Sequence, residues 1–570
     1  FQQWGVNSRD VIDGNPYALC GELVGLPFQK AEVLARSLRI ALDSDQRILA
    51  GLQYLLTENT FSGHTCLPLD KLQPLSCKYL GIGEQDFYAN YNQALENQQL
   101  YEYKKGEREF VYLPEYYIAE SYIADRIKVI LEFSAPEDYD YEALIDLEEQ
   151  EKQIKYESLQ RKAITTALSR GLMVLTGGPG TGKTTTLNAI ISLYEKQGKK
   201  VLIAAPTGRA AKRISDLTGY EAKTIHRLLE VQFDSNERLT FKHNEKDPLD
   251  CEVLVVDEMS MVDVLLFEHL LRALKLHCRI VLVGDSDQLP SVGAGNLLRD
   301  LIDGGCIPVI ALQEIFRQAQ QSCIVTNAHR IVRGEDPDLM QKQNDFFFLQ
   351  RLKPEPACEL VISLCRDRLP KAYGFDPLND IQVIAPARKG TLGVIALNQA
   401  LQEALNPKKK SMAECKTALY TFRVGDKVMQ TRNNYDILWK KDGEQGTGIF
   451  NGDIGRILEI NRAQMMATID FDGRITPYPL DVLDQLELAY AITVHKSQGS
   501  EFEAVVIPIL GGFEKLYYRN LLYTAVTRAK KLLILVGSRK KIEEMVHNNR
   551  RTNRYSCLRH MLMQHEQGSN

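Results

Sequence analysis

No run of about 20 consecutive apolar residues occurs in this chain, which excludes a membrane-spanning helix. No C-x-x-C pair occurs among its 11 cysteines, so zinc ribbons and clustered iron–sulfur ligation are excluded. Scattered thiols such as Cys20, Cys66, Cys77, Cys251 and Cys278 fit a reducing cytosol. Basic charge is not in excess: 69 Lys and Arg against 74 Asp and Glu leave −5, so any surface for a polyanion has to be local. The opening Phe1-Gln2-Gln3-Trp4 carries neither an initiator Met nor a basic-then-apolar leader, as expected of a trimmed chain with something missing upstream. The 570 residues, 44% of them hydrophobic, exceed the roughly 250–300 at which one core stops growing, so several globular domains are expected.

What is most clearly present is Gly177-Gly178-Pro179-Gly180-Thr181-Gly182-Lys183-Thr184, which matches the phosphate-cradling pattern G-x-x-x-x-G-K-[ST]. The apolar Leu172-Met173-Val174-Leu175 precedes it as a buried strand would. Thr185 to Lys196 follow with helical apolar spacing (Leu187, Ile190, Ile191, Tyr194), and Gly198 is placed to end that helix. Glycines let the backbone curl so that its N–H groups face phosphates, and the helix start adds its positive dipole end. Lys183 then reaches the β- and γ-phosphates, and the Thr184 hydroxyl is placed to hold Mg²⁺. The chain is therefore expected to bind a nucleoside triphosphate through Gly178, Pro179, Gly180, Thr181, Gly182, Lys183, Thr184 and Thr185.

Val255-Val256-Asp257-Glu258 reads as a strand ending in two carboxylates, the first suited to Mg²⁺ and the second to polarising an attacking water. Leu282 to Pro290 is another strand running into polar residues at the carboxyl edge of a parallel sheet, where Gln288 is either a γ-phosphate sensor or part of a plain polar loop. Arg317, in Gln313-Glu314-Ile315-Phe316-Arg317, and Arg528, in Tyr523-Thr524-Ala525-Val526-Thr527-Arg528, lie far from the loop in sequence. A transferring phosphoryl group needs such cations, although a lone arginine is most often a surface residue.

From Ser158 to about Gly334, strands alternate with helices. The apolar runs Leu172–Leu175, Val201–Ala204, Val253–Val256 and Ile280–Val283 predict a buried parallel sheet. A second set, Ile381–Ile384, Val505–Ile507 and Leu532–Leu535, predicts another. Between them, residues 420–485 alternate short strands with Asn-Gly and Asp-Gly turns at 451–452 and 472–473, as a small inserted β-barrel would. The expected fold class is α/β: a mainly helical N-terminal region over 1–150, a first parallel-sheet domain over 151–335, and a second over 336–570 that carries the barrel. Asn15 to Ile40 read as two short helices around Val24-Gly25-Leu26-Pro27. This is either a helix–hairpin–helix offering backbone N–H groups to a DNA phosphate or an ordinary αα-hairpin. Residues 45–130 fit a small winged-helix unit, and the acidic run Pro136 to Gln153 a solvated linker or helix face.

The ordered series Gly177–Thr184, Ala205-Pro206-Thr207-Gly208-Arg209-Ala210-Ala211, Asp257-Glu258, Gly284–Pro290, Phe316-Arg317, Thr493-Val494-His495-Lys496-Ser497-Gln498-Gly499 and Tyr523–Arg528 resembles the motifs of superfamily 1 DNA helicases. It is most similar to the RecD/TraA group, on the side of RecD-like helicases that act without RecB and RecC. The resemblance covers about residues 155–540 strongly and 1–150 more weakly. It implies two RecA-like motor domains, an SH3-like inserted barrel and a short strand-guiding hairpin near 231–250. It implies ATP with Mg²⁺, the latter on Thr184 and Asp257. Catalytic roles fall on Lys183, Asp257, Glu258, Gln288, Arg317 and Arg528, with both arginines reaching the γ-phosphate from the second motor domain. Gln160 reads adenine and Gly499 joins the nucleotide contacts. DNA-backbone contacts fall on Thr207, Arg209, His226, Thr493 and His495; Arg388 and Lys389 are either further contacts or a solvated loop. Phe422, Tyr435 and Trp439 are candidate base stackers or core aromatics.

The activity so implied is ATP-driven 5′-to-3′ movement on single-stranded DNA with unwinding at single/double-strand junctions, in repair or recombination. The actor would be a cytoplasmic, monomeric motor with single-strand-binding or repair proteins as partners. A DNA-stimulated ATPase that remodels without unwinding, or a regulatory subunit of a nuclease complex, would use the same residues. No compact carboxylate–lysine set outside these motifs supports a nuclease, and no His cluster supports a relaxase. One departure stands out: Gly25-Leu26-Pro27 occupies the turn where the family often has Gly-x-Gly.

Overall fold

The computed structural model describes residues 5–567, except 22–23, 134–139, 234–238, 341–344, 411 and 550–553. The near-continuous apolar runs become strands covered on both faces, as a parallel sheet requires. In the first lobe these are β1 (Leu172–Gly177), β2 (Val201–Ala205), β3 (Ala222–Thr224), β4 (Val253–Val256), β5 (Arg279–Gly284) and β6 (Val309–Leu312). They pair in parallel in the order β6-β1-β5-β4-β2-β3. In the second lobe, β7 (Phe346–Gln350), β8 (Ile381–Ala385), β9 (Ala491–Thr493), β10 (Phe502–Ile509) and β11 (Ala529–Gly537) pair in parallel in the order β7-β11-β10-β8-β9. The two-sheet α/β architecture expected from the sequence is present.

Between β8 and β9 the chain folds into a seven-stranded sheet whose paired neighbours are antiparallel, from Lys427–Gln430 through Leu486–Leu488. Asp472 and Gly473 are both left-handed (φ 59° and 83°), the backbone that a tight two-residue hairpin turn demands. The expected closed barrel is not formed. The edge strands Glu444–Ile449 and Leu486–Leu488 are not paired with each other among the described residues, so the ladder is open. The second edge strand leads after two residues into β9 of the motor sheet.

The N-terminal region has the expected short helices, a 3₁₀ turn over Pro16–Cys20 and a helix over Phe28–Ser37, joined past left-handed Gly25 (φ 63°). Helices Asp45–Thr60, Leu69–Leu80 and Glu84–Glu96 then pack with a three-stranded antiparallel sheet of Cys66–Pro68, Arg108–Tyr112 and Tyr101–Lys105, a winged-helix arrangement. The hairpin expected near 231–250 pairs Val231–Phe233 with Leu239–Phe241, and its tip lies outside the described residues.

Three packings depart from the sequence reading. Of the two readings of the acidic run, the helix face holds and the linker does not: its described part forms helix Tyr141–Lys152, with Glu142 and Asp146 exposed, but Tyr141 and Ile145 enter the first-lobe core beside Tyr156 and Ala163. Its Glu148, with no exposed side-chain surface, pairs with Lys152 and Lys196. Helix α3, Cys323–Arg333, buries Ile324, Ala328 and Ile331 in the second-lobe core, although it precedes residue 336. The last helix, Leu558–Gln567, leaves the second lobe and packs against Pro114–Phe133 and Leu297–Asp303.

Glu120 anchors that return. Its buried carboxylate accepts from Thr65 Oγ1 (2.7 Å), Tyr112 Oη (2.7 Å), Ser556 Oγ (2.8 Å) and the Cys557 N–H (3.1 Å). Ser556 Oγ also lies 2.8 Å from Asp300 Oδ2, sharing its one proton between the two carboxyl groups, and the Asp300 carboxyl is pushed up to about 7 by burial and then by the Glu120 charge. Glu120→Ala strands these donors, and an orphaned buried polar group costs roughly 1–3 kcal/mol. The expected loss is about 3 kcal/mol or more in urea unfolding; an unchanged midpoint would show that the anchor is not a stabilising contact.

Candidate nucleotide cleft and nucleic-acid track

In an open parallel sheet, loops at the carboxyl ends of central strands converge on one place. Here those loops follow β1, β4 and β5, which are neighbours in the sheet. The phosphate loop leads from β1 into helix α1, Lys183–Lys196. Gly180 and Gly182 are left-handed (φ 72° and 83°). A Cβ on Gly182 would lie 2.3 Å from the Phe316 ring and 2.6 Å from Gln160 Nε2, and one on Gly180 2.7 Å from Ala319. The segment after β6 covers the loop closely, which is why glycine is needed at both positions. Lys183 Nζ donates to the carbonyls of Gly177 and Gly178, holding the ammonium over the loop mouth. Gln160 is buried; its Oε1 accepts the Glu157 N–H (3.0 Å) and its Nε2 donates to Gly182 O (3.3 Å), so it caps its helix and braces the loop. Together with Gly178, Pro179, Thr181, Thr184 and Thr185 these residues line a cleft of about 770 Å³.

Asp257 and Glu258 end β4 in the same cleft. Burial, and then the Glu258 charge, pushes the Asp257 carboxyl up to about 6. Two carboxylates lining one cleft with Thr184 suit a divalent cation with oxygen ligands. Glu258 is held at φ 53°, a conformation a non-glycine residue rarely adopts and one that functional positions retain.

The far wall belongs to the second lobe. Arg528, at 2% exposure, follows helix α4 (Arg519–Val526) and donates through Nη2 to Gln288 Oε1 (2.8 Å), through Nε to Thr524 O (3.0 Å) and through Nη1 to Ser500 O (3.3 Å). Gln288 in turn donates to Asp285 (3.2 Å), which also accepts from Tyr523 Oη (2.6 Å). Thr524 Oγ1 accepts the Leu289 N–H (2.9 Å). The loop after β5 is thus stitched to α4, and Gln288 is no idle polar loop residue. From α3, His329 Nε2 lies 3.0 Å from the Pro179 carbonyl. Arg317, expected on the second lobe, opens the short helix Arg317–Gln320 on the segment leaving β6; its side chain lies outside the described residues.

Gly499, expected at the nucleotide, packs instead against Thr207 and Ala210; a Cβ there would lie 2.9 Å from Thr207 Oγ1. It lines a different cavity, of about 1050 Å³, between the first lobe, the inserted sheet and the second lobe. Arg209, Lys223, Arg227, Lys427, Arg456 and Lys530 face it. Burial, and then the Arg209 charge, push the Lys427 ammonium down to about 7; Asp216, Asp453, Asp470, Asp472 and Glu501 also line the cavity, but they are outnumbered by its Lys and Arg. This is the local basic surface that a net charge of −5 conceals.

The nucleic-acid candidates share a topological position. Thr207 and His226 follow β2 and β3, and Arg388 and Thr493 follow or end β8 and β9: each sheet offers its two outermost strands on that side. Thr207 caps helix α2, Gly208–Thr218, by accepting the Ala210 N–H (3.2 Å). The His226 ring lies 5.9 Å from that of Phe241 on the hairpin. His495, on the turn after β9, and Lys389 are exposed. Arg388 is ion-paired with Glu487, so it is not a free loop cation. Of the candidate stackers, Phe422 is fully buried core, Tyr435 packs edge-on against Phe450, and Trp439 lines the basic cavity.

Family models described as the ATP-dependent RecD2 DNA helicase HHH domain, an AAA domain, the ATP-dependent RecD-like DNA helicase SH3 domain and the UvrD-like helicase C-terminal domain match residues 1–66, 160–294, 397–471 and 488–536. The ATP-dependent RecD2 DNA helicase of Deinococcus radiodurans is 33% identical over 549 residues, covering 94% of this chain and 72% of that protein. The chain belongs to the RecD2 family of ATP-dependent DNA helicases. The RecBCD enzyme subunit RecD of Mycolicibacterium smegmatis is 33% identical over 423 residues, covering 68% of the helicase and 72% of the relative. The crystal structure of Bacteroides Pif1 bound to ssDNA matches at 20% identity and TM-score 0.42, covering 68% of the helicase and 94% of that chain. The first of the family matches favours the helix–hairpin–helix reading of Asn15 to Ile40 over the plain αα-hairpin.

Sequence reasoning missed two residues of the helicase's cleft. Arg213 and Glu501 line it from opposite lobes and are ion-paired with each other. Arg213 had a readable signal, since it stands one helical turn after Arg209 on one face of α2.

Proposed function

We propose that this helicase translocates 5′ to 3′ on single-stranded DNA and opens duplex at single/double-strand junctions, acting as a cytoplasmic monomeric motor in repair or recombination. The observation that carries the reading is the Arg528–Gln288 hydrogen bond, which joins the two lobes across the cleft that holds the phosphate loop. One cleft walled by two lobes needs only one chain. Cysteines scattered without a C-x-x-C pair suit a reducing compartment.

In this reading the loop N–H groups and Lys183 orient the phosphates of ATP, and Glu258 orients the attacking water. Thr184 and Asp257 would hold Mg²⁺, which when bound offsets phosphate charge and favours phosphoryl transfer. Arg528, with Arg317, stabilises charge on the γ-phosphoryl group, and Gln288 senses its presence. Contacts across the cleft made with ATP and lost on hydrolysis bias the lobes between closed and open forms. Thr207, Arg209 and His226 on one lobe and Thr493, His495 and Lys389 on the other grip the strand alternately. Most of that grip is on phosphates, so it is tolerant of sequence and weakened by salt.

Duplexes with a 5′ or a 3′ single-stranded tail test activity and direction together. Strand displacement that requires ATP and a 5′ tail is expected. Displacement from the 3′-tailed duplex alone would reverse the polarity, and ATP turnover without displacement on either would favour remodelling over unwinding.

A further inference from the structure

Helix α2 carries two arginines one turn apart, and both reach the second lobe at consecutive residues. Arg209 Nη1 donates to Ser500 Oγ (3.1 Å), and Arg213 Nη2 pairs with Glu501 Oε1 (2.8 Å). The other arm of the same Arg213 guanidinium, Nη1, pairs with Glu258 Oε1 (2.7 Å). Arg213 therefore stands between two carboxylates from two lobes, one of which ends β4 in the nucleotide cleft. Its Nε–H is buried, has no partner in the structure, and belongs to a side chain lining the cleft with Gly180, Lys183 and Thr184. Ser500 closes the circuit, because its carbonyl accepts from Arg528.

We infer that Arg213 is a positioning residue: it links the strand-gripping start of α2 to the Glu258 carboxylate, so that hydrolysis responds to bound DNA. The inference rests on the proposed role of Glu258 as the group that orients water. Its physical basis is stiffness. Thr207 caps α2, so a shift imposed at Thr207 or Arg209 moves the helix as a body and carries the Arg213 fork with it. A planar guanidinium holds two carboxylates in fixed relative geometry, which a lysine cannot do. Displacing a reacting group by about 1 Å costs on the order of a hundredfold in rate, so a modest shift of Glu258 suffices for regulation.

The experiment compares ATP turnover at saturating ATP, with and without saturating oligo(dT), in wild type, Arg213→Ala, Arg213→Lys and Glu501→Gln. In Arg213→Ala the stimulation ratio, the DNA-bound rate over the DNA-free rate, is expected to fall about tenfold or more, on the usual scale of coupling between sites. The KM for ATP is expected to stay within about threefold, because a misplaced water ligand acts on turnover rather than on binding. Arg213→Lys should fall between Ala and wild type. Glu501→Gln should lower the ratio too, and adding it to Arg213→Ala should change little, as for members of one network. An Arg213→Ala enzyme with an unchanged ratio overturns the inference, as does one whose two rates fall by the same factor, which marks a merely structural residue. Lys183→Ala run alongside separates the failures. If it still hydrolyses ATP, the assignment of the cleft is wrong; if it is inactive while Arg213→Ala keeps its ratio, only the coupling is wrong.

Discussion

Lys183→Ala is expected to lower ATP hydrolysis by about a thousandfold or more, with and without single-stranded DNA, while the chain stays folded and still binds the strand. The rate effect follows from charge. Lys183 holds its ammonium at the mouth of a loop whose other donors are neutral N–H groups. Removing a preorganised donor from a phosphoryl-transfer site costs roughly 10²–10³, and removing a full cation more. The fold should survive because Lys183 sits in the first turn of α1, is not buried, and bonds only to two loop carbonyls that water can serve. The strand candidates lie at the sheet edges, away from the loop after β1. Turnover assays with circular dichroism and strand-binding controls make the check, and appreciable hydrolysis by the folded variant would remove the phosphate loop from the mechanism.

For Arg528→Ala, turnover is expected to drop by at least about a hundredfold while nucleotide affinity is largely kept, on the scale set by arginines that stabilise the transferring phosphoryl group. The residue is a cross-lobe strut as well as a cation. Its loss deprives Gln288 Oε1, Thr524 O and Ser500 O of a donor, so some stability is lost too. Arg528→Lys distinguishes the two roles, since it restores charge without the planar fork. Fluorescent-nucleotide titration with single-turnover kinetics reads binding and chemistry apart. Near-normal turnover in the Ala variant would demote Arg528 to a structural tie.

Much of this cleft was legible because its chemistry is local. The phosphate loop, the Asp257-Glu258 pair and the runs that became β1, β4 and β5 each declare themselves within a few residues, through glycine spacing or unbroken apolar character. What escaped reading depends on contacts far apart in the chain. Gly499 belongs to the basic cavity because Thr207, nearly 300 positions earlier, packs on it. Arg388 is ion-paired with Glu487, nearly 100 positions later on an edge strand of the inserted sheet. The acidic run is the helix face it read as, except at Glu148, which is buried against Lys152 and Lys196. The inserted strands alternate as a barrel's would, yet their two edge strands do not pair, and periodicity carries no information about that.

The anchoring of the final helix on the N-terminal half constrains how the machine can move. Apart from the ties across the cleft, the chain itself passes between the second lobe and the rest at two places: where it enters after β6, and where it departs past helix Arg539–His547 to seat Ser556 between Glu120 and Asp300. A solid pinned at two points swings about the line joining them, like a door on its jamb, whereas one pinned at a single point can tumble like a bob on a string. When the ties across the cleft open, two such tethers favour a swing about the line between them over free tumbling, and the seat of the tail fixes one end of that line.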